Sequence, residues 1–300
     1  MQIWILLAIL SPFLMSFTNL MEKFLVDKKI KHHAVIPFFG GIVSAILGIL
    51  IFIFHGFVLL PVSQVCVLLL SGILLIVYLL PYFEALAIDD SSRVVPLFQF
   101  APVFVVLLSS LLLKEHLTAH QMIAFMFIIF GGFLLGMEKS DLTIFKPRKS
   151  MVLILISSLI VSFVGVLFKF AYVTGDFITT LAYQSIGSGI GAVLLLLVPT
   201  IRRGCLSEYK RLQGQVLAIL VFNKLLEFVG ELTSLVAITI APVALVTVFS
   251  GLQPFFLLIE VILLSRWLPH ILEEDISKEI LAQKFISLLL IFIGIYILSQ

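Results

Sequence analysis

The sequence predicts an all-α integral membrane protein with ten transmembrane helices arranged as two inverted five-helix repeats. The expectation rests on an apolar content too high for a soluble globule, ten apolar runs of membrane-spanning length, and an odd number of those runs in each of two similar halves. Of the 300 residues, 61% are hydrophobic and 12% charged, against roughly 45–50% apolar and about 25% charged in soluble domains. The mean hydropathy is +1.24. So little polar surface cannot coat a soluble fold. A net charge of +2 gives no reason to invoke nucleic acid, because the basic residues lie in short loops where lipid headgroups account for them.

About 20 apolar residues span roughly 30 Å of hydrocarbon as helix, and the runs follow in order. The first, 3–22, opens in MQIWILLAIL with neither a basic n-region nor a small-residue cleavage site, and is expected to stay as a helix. The second, 34–55, carries Gly40, Ser44 and Gly48 beside Gly41 and Ala45, small faces that let a neighbour approach. The third, 64–88, ends in YFEALAIDD, which places Glu84 at one mouth of a central cavity. The fourth, 94–113, and the ninth, 242–264, contain Pro102 and Pro254, each of which removes a backbone hydrogen bond and bends its helix. Both prolines are candidate helix breaks. The fifth, 119–137, follows EHLT, where Glu115 suits the helix dipole and Thr118 can cap. The sixth, 151–173, ends near Lys169, which, like Lys23, can snorkel to headgroups. The seventh, 177–200, carries Gly187 and Gly191, and the tenth covers 283–299.

The halves repeat. Ser16-Phe17 and Lys23-Phe24 recur as Ser162-Phe163 and Lys169-Phe170, and Gly41 and Ala45 recur in the same register as Gly187 and Gly191. Further on, Pro102 matches Pro254, EHLT from Glu115 matches EDIS from Glu274, and IFGG ending at Gly132 matches IFIG ending at Gly294. This divides the chain into a first repeat at 1–137, a basic linker loop at 138–150 and a second repeat at 151–300. Five helices per repeat make the second copy enter the membrane from the opposite side.

Loops after the first, third, fifth, seventh and ninth helices hold Lys28, Lys29, Lys31, Arg93, Lys139, Lys146, Arg148, Lys149, Arg202, Arg203, Lys210, Arg211, Arg266 and Lys278, whereas the other face has essentially Lys114. The positive-inside rule puts that basic face in the cytoplasm and both termini outside. Cys66 and Cys205 then fall on opposite faces, which excludes a bridge between them.

The stretch ALAIDDSSRVVPLFQFAPVFVVLLSSLLLKEHLTAHQMIAFMFIIFGGFLLG, residues 85–136, with APVALVTVFSGLQPFFLLIEVILL as its second-half counterpart, resembles the EamA family of the drug/metabolite transporter superfamily. The resemblance implies ten helices from two repeats, a transporter rather than an enzyme, and termini in the cytoplasm, contrary to the charge bias. It implies nothing about substrate, since members carry chemically unrelated solutes. Without a gap, Trp267 stands opposite Glu115, and only a gapped match recovers Glu274.

The eighth run, 216–240, contains NKLLEFVGELTS. On a helix, Asn223, Glu227, Gly230, Glu231 and Ser234 share one face, with Lys224 at its edge. A centred Asp, Lys or Arg costs about 2.5–3.5 kcal/mol on insertion scales, so these groups must face the bundle. Lys224 can pair with Glu227 as simple interhelical glue. That leaves Glu231 one turn from Glu227, and two carboxylates so close resist double ionisation, so one of them can hold a proton. Glu231, Glu227, Lys224, Asn223 and Ser234, with Glu84, are therefore the candidate substrate- or proton-binding residues.

No phosphate-binding loop, H-E-x-x-H or G-x-S-x-G occurs in the sequence, and the spacing of His270 and Asp275 in an acidic loop is discounted as an acyltransferase motif. The expectation is a multi-pass carrier of the plasma or inner membrane. It moves a small metabolite or drug-like solute without ATP by alternating access, driven by a gradient of protons, ions or a counter-solute or running as facilitated exchange, with no cofactor, metal or catalytic residue. The other classes in play are an intramembrane lipid-modifying enzyme and a non-transporting scaffold.

Overall fold

A chain surrounded by hydrocarbon must satisfy its own backbone, which leaves helices or closed barrels, and among the described residues there is no strand. The computed structural model describes residues 3–28, 35–89, 94, 97–137, 148–172, 176–208, 214–265 and 278–299. Its helices are α1 (Ile3–Lys28), α2 (Val35–His55), α3 (Val62–Val77), α4 (Leu79–Ile88), α5 (Ala101–Leu112), α6 (Ala119–Gly136), α7 (Lys149–Ala171), α8 (Phe177–Leu195), α9 (Pro199–Glu208), α10 (Gln215–Ile240), α11 (Val243–Thr247), α12 (Gln253–Ser265) and α13 (Lys278–Ser299), with a 3-10 segment at Val248–Leu252. Five stretches are long and apolar enough to cross a membrane: Ile3–Glu22, Val35–His55, Val62–Ala85, Lys149–Ala171 and Phe177–Leu195. Shorter apolar helices cover Ala101–Leu112, Ala119–Leu135, Val243–Leu257 and Ala282–Leu298. With 26 residues, α10 is about 39 Å long, but carries Lys224, Glu227 and Glu231 within it.

The helices follow the apolar runs, with differences where the backbone cannot continue. The third run divides at Tyr78 into α3 and α4. Pro102 lies in the first turn of α5 rather than inside a helix, after a turn at residues 99–100. Pro254 is the second residue of α12 and directly follows the 3-10 segment. The reason is the missing proline N–H, which costs nothing in a first turn but breaks a ladder further in.

Packing is set by small residues. α8 is wedged between α2 and α3, and most of its length is buried. A Cβ on Gly187 would strike the Leu69 backbone and one on Gly72 the Gln184 carbonyl, so only glycine permits these approaches. α6 packs on α13 in the same way, with Gly131 against Ser287 and Ile291 and Gly294 against Ala124 and Ile128. α1 lies along α10, where a Cβ on Gly230 would come 3.2 Å from Met15. α3, α4 and α5 pack on α7.

Candidate functional site

The charges of α10 are gathered on its inner side, where α1 and α2 meet it. Lys224 is 4% exposed, and its stem runs along α2, since a Cβ on Gly40 would lie 3.3 Å from Lys224 Cδ. Its Nζ donates to Glu22 Oε1 on α1 at 2.5 Å and to Glu227 Oε2 at 2.5 Å. Asn223, fully buried, donates through Nδ2 to the same Glu22 oxygen at 3.3 Å. A buried ammonium is tolerable only when paired in this way. Glu231 follows one turn beyond Glu227 and interacts with it electrostatically, and Ser234 is half-buried further along α10.

α3 and α4 pack mainly on α7 and α8 rather than on α1 or α10. Even so, Tyr78 at their junction lies within electrostatic reach of Glu227, Tyr82, Glu22 and Glu231, and Tyr82 within reach of Glu22. The two tyrosines therefore lie near the carboxylates. Phe98 stacks on Tyr78 at 6.1 Å and meets Tyr82 edge-on at 5.3 Å, so the three rings form one aromatic cluster.

Glu84 is not part of this group. It is exposed at the end of α4 and accepts from Lys149 Nζ at 2.7 Å. Beside it, Asp89 accepts from Arg148 at 3.3 Å and from Ser150 at 2.6 Å, and Ile88, Asp89, Arg148, Lys149 and Ser150 line a cavity of about 290 Å³. These contacts tie the end of α4 to the start of α7.

Glu115 and Lys169 take roles other than those expected. Thr118 caps α6 in a reciprocal box with Gln121, so that helix start does not need Glu115. Lys114, in the left-handed region at φ 56°, turns the chain so that Glu115 Oε2 accepts from the Val243 N–H of α11 at 3.1 Å. Its other oxygen pairs with Lys169 Nζ at 2.5 Å. Lys169, rather than reaching for headgroups, also donates to the Ala241 carbonyl at 2.6 Å. The turn after α5, the end of α7 and the α10–α11 junction are thus tied together. The side chain of Lys23 and residues Glu274, Ser277, His270 and Asp275 lie outside what is described.

Residues 2–137 match the model of the EamA-like transporter family. That segment is EamA-like. Members of the EamA family are membrane transporters of the drug/metabolite transporter superfamily, and five stretches of this chain are long and apolar enough to cross a membrane. No curated protein matches it. A solved crystal structure of a protein is similar over 97% of this chain and 97% of its own, with a TM-score of 0.62 at 15% identity. At that identity the likeness is one of fold, and it extends over the half that the EamA model leaves unmatched.

Two acids in this EamA-like bundle escape sequence reasoning. Glu22 closes the first apolar run and reads as its boundary. Glu260, 3% exposed in α12, accepts a short hydrogen bond from Ser16 of α1, while its Oε2 has no partner among the described residues. A lone acid inside an apolar run was the available signal.

Proposed function

We propose that the chain is a secondary transporter that moves a small metabolite or drug-like solute by alternating access between two inverted five-helix repeats, with coupling to protons. The observation that carries this reading is the Glu22, Lys224, Glu227 and Glu231 cluster, in which Lys224 and Asn223 of α10 in the second half bond Glu22 of α1 in the first. Charges are costly in hydrocarbon and mark substrate or proton pathways. Helix pairing supports the repeats: α2 packs on its repeat mate α8 and α6 on α13, while α1 packs on α10 as α7 packs on α3 and α4. Such pairing is what a pseudo-two-fold axis in the membrane plane produces. Of the candidate residues, Glu231 has the role of taking and releasing the proton, Glu227 and Asn223 shape the site, Ser234 extends its polar face, and Lys224 holds the carboxylates in place.

The test is uptake by purified protein in proteoliposomes, with and without a pH gradient. Glu231→Gln is expected to abolish or uncouple transport while the protein stays folded, and Glu227→Gln to impair it. Full pH-dependent transport by the double Gln variant would reduce the charges to interhelical glue. Lipid turnover in the same vesicles without solute movement would instead favour an intramembrane enzyme.

A further inference from the structure

Glu260 has no part in the cluster on α10. It lies on α12, 3% exposed, against the fully buried Ser16 of α1. Ser16 Oγ has two acceptors within reach, the Phe13 carbonyl at 2.6 Å and Glu260 Oε1, but a hydroxyl has one hydrogen. Assigned to Glu260, that hydrogen is a single donor for a buried carboxylate. Assigned to Phe13, it leaves the second contact to be closed by a hydrogen on the carboxyl itself, and both contacts are then hydrogen bonds. Glu260 Oε2 has no partner among the described residues. A neutral carbonyl oxygen tolerates that far better than a charge does.

The elements that pack on α12 are α1, α6 and Val248–Leu252, and among their described residues no cation stands beside Glu260. The ionisable residues of α1 are Glu22, Lys23, Asp27 and Lys28, all at least six positions past Ser16 and so about 9 Å or more along the helix. α6 has only His120, which bonds the Ile297 carbonyl of α13 at 2.7 Å. Val248–Leu252 has none, and α12 has none besides Glu260. Nor does packing require an acid here. Ser162, which matches Ser16 in the sequence repeat, donates to the Ala101 carbonyl at 2.9 Å where α5 packs on α7. Glu260 stands six residues after Pro254, and six residues after Pro102 the first half has Leu108. The matching seam thus closes with a backbone acceptor and a leucine. An ionisable group kept in such a place is by default functional.

We propose that Glu260 is a proton-binding site: its carboxyl is neutral in this arrangement, with its O–H donating to Ser16 Oγ, and loss of the proton releases α12 from α1. In that step the carboxyl O–H bond breaks, the proton passes to water, and the electron pair stays on the carboxylate. Ser16 turns its hydrogen from Phe13 to Glu260, which gives the charge one donor. A buried carboxylate needs more than that, so it must meet water, and the seam must open. Because α1 belongs to the first half and α12 to the second, opening it changes how the halves meet. The neutral carboxyl stands on this geometry alone. The release step rests on the transporter reading and deepens it, as a proton site in addition to Glu231.

Infrared difference spectra of the purified full chain in non-ionic detergent, wild type minus Glu260→Gln, test the first step. The carbonyl band of a protonated carboxyl is expected at neutral pH, giving way to carboxylate bands in alkaline buffer. Ser16→Ala is expected to shift the same band, which keeps the assignment testable if Glu260→Gln does not fold. Spin labels at Leu10→Cys and Leu263→Cys, exposed positions on α1 and α12, test the second step in a chain that also carries Cys66→Ser and Cys205→Ser. The distance between them is expected to lengthen as the carboxyl band disappears, and to stay constant with pH once Glu260→Gln is added. Carboxylate bands alone at neutral pH overturn the proton assignment and leave the transporter reading in place. A distance that stays constant in the otherwise wild-type chain, or lengthens equally with Glu260→Gln, overturns the release step. So does uptake into proteoliposomes whose pH dependence survives Glu260→Gln. A carboxyl band and a distance change that both behave as expected, without uptake of any solute, sink the transporter reading alone.

Discussion

Glu115→Ala removes two contacts at once: the partner of Lys169 at 2.5 Å and the acceptor of the Val243 N–H at 3.1 Å. The Lys169 and Glu115 side chains are 20% and 18% exposed, so the pair is nearer the buried limit, where breaking it costs about 3–5 kcal/mol, than the surface limit of about 0–1 kcal/mol. Solvent screening of the exposed fifth lowers the expected loss to about 2–3 kcal/mol. Losing the acceptor at the start of α11 adds about 1 kcal/mol. Glu115→Ala is therefore expected to cost about 3–4 kcal/mol. Glu115→Gln keeps an oxygen for the Val243 N–H and should cost about half as much. Reversible unfolding in mixed micelles measures both, and a double-mutant cycle with Lys169→Met isolates the pair. The expected coupling is about 1–3 kcal/mol. A coupling below about 0.3 kcal/mol would refute the reasoning, because the ion pair would then not tie the three helix ends together.

Other outcomes follow from the same contacts. Lys224→Ala leaves Glu22 and Glu227 without their shared partner and is expected to lose about 3–5 kcal/mol together with transport, both read on the purified protein. Asp176 caps α8 by accepting from the Ile178 N–H at 3.1 Å and pairs with His55 of α2 at 2.7 Å. The Thr179 hydroxyl, then His55, holds its carboxyl below the usual carboxylate range. With a folded-state value below the unfolded one, the advantage of Asp176 over Asp176→Ala is full at neutral pH and disappears as pH falls through the folded value; it should be about 1 kcal/mol at pH 7, and melting curves that stay equally separated into strong acid would contradict this. A fluorescent reporter active only in the cytoplasm, fused after Gln300, is expected to stay dark if the loop charges set orientation, and bright cells would favour the family's arrangement instead.

The helices were legible because length and apolarity decide them locally, whereas partners were not. Asn223, Lys224, Glu227 and Glu231 declared themselves by occupying one face of an otherwise apolar run, but nothing local links Lys224 to Glu22, which stands at the end of another run next to Lys23. Glu115 is the clearer case. Its neighbours in sequence, Thr118 and Gln121, form a capping box, so an acid just ahead of them reads as part of the same helix start. Its true contacts, Lys169 and the Val243 N–H, come from α7 and α11, and only the folded chain brings them together. The sequence reads Pro102 and Pro254 as breaks inside helices, whereas each lies in the first turn of one, because a periodicity argument cannot say whether the chain bends at a proline or restarts there.

Where the polar groups sit also explains how one arrangement of these helices is selected. Lipid tails are as apolar as leucine, so burying a leucine between helices in a bilayer gains little over leaving it on lipid, and close packing and interhelical hydrogen bonds must supply the specificity. The chain uses small residues where helices lie flush, as with Gly72 and Gly187, and polar ties where several helices must be fixed together. Gln184 of α8 donates to Ser71 of α3 at 3.0 Å, and Ser71 donates to the Val164 carbonyl of α7 at 2.9 Å, so one chain of bonds sets three helices in register. Each such bond is worth only about 0.6 kcal/mol on average in a membrane, too little to hold a helix but enough to rank one register over the next. The ion clusters differ in kind. They join α1 to α10 and tie the turn after α5 to α7 and α11, all contacts between the two halves, and their cost is high if broken singly. The sequence thus places glycine where two helices lie flush and Glu–Lys pairs where the two halves are tied together.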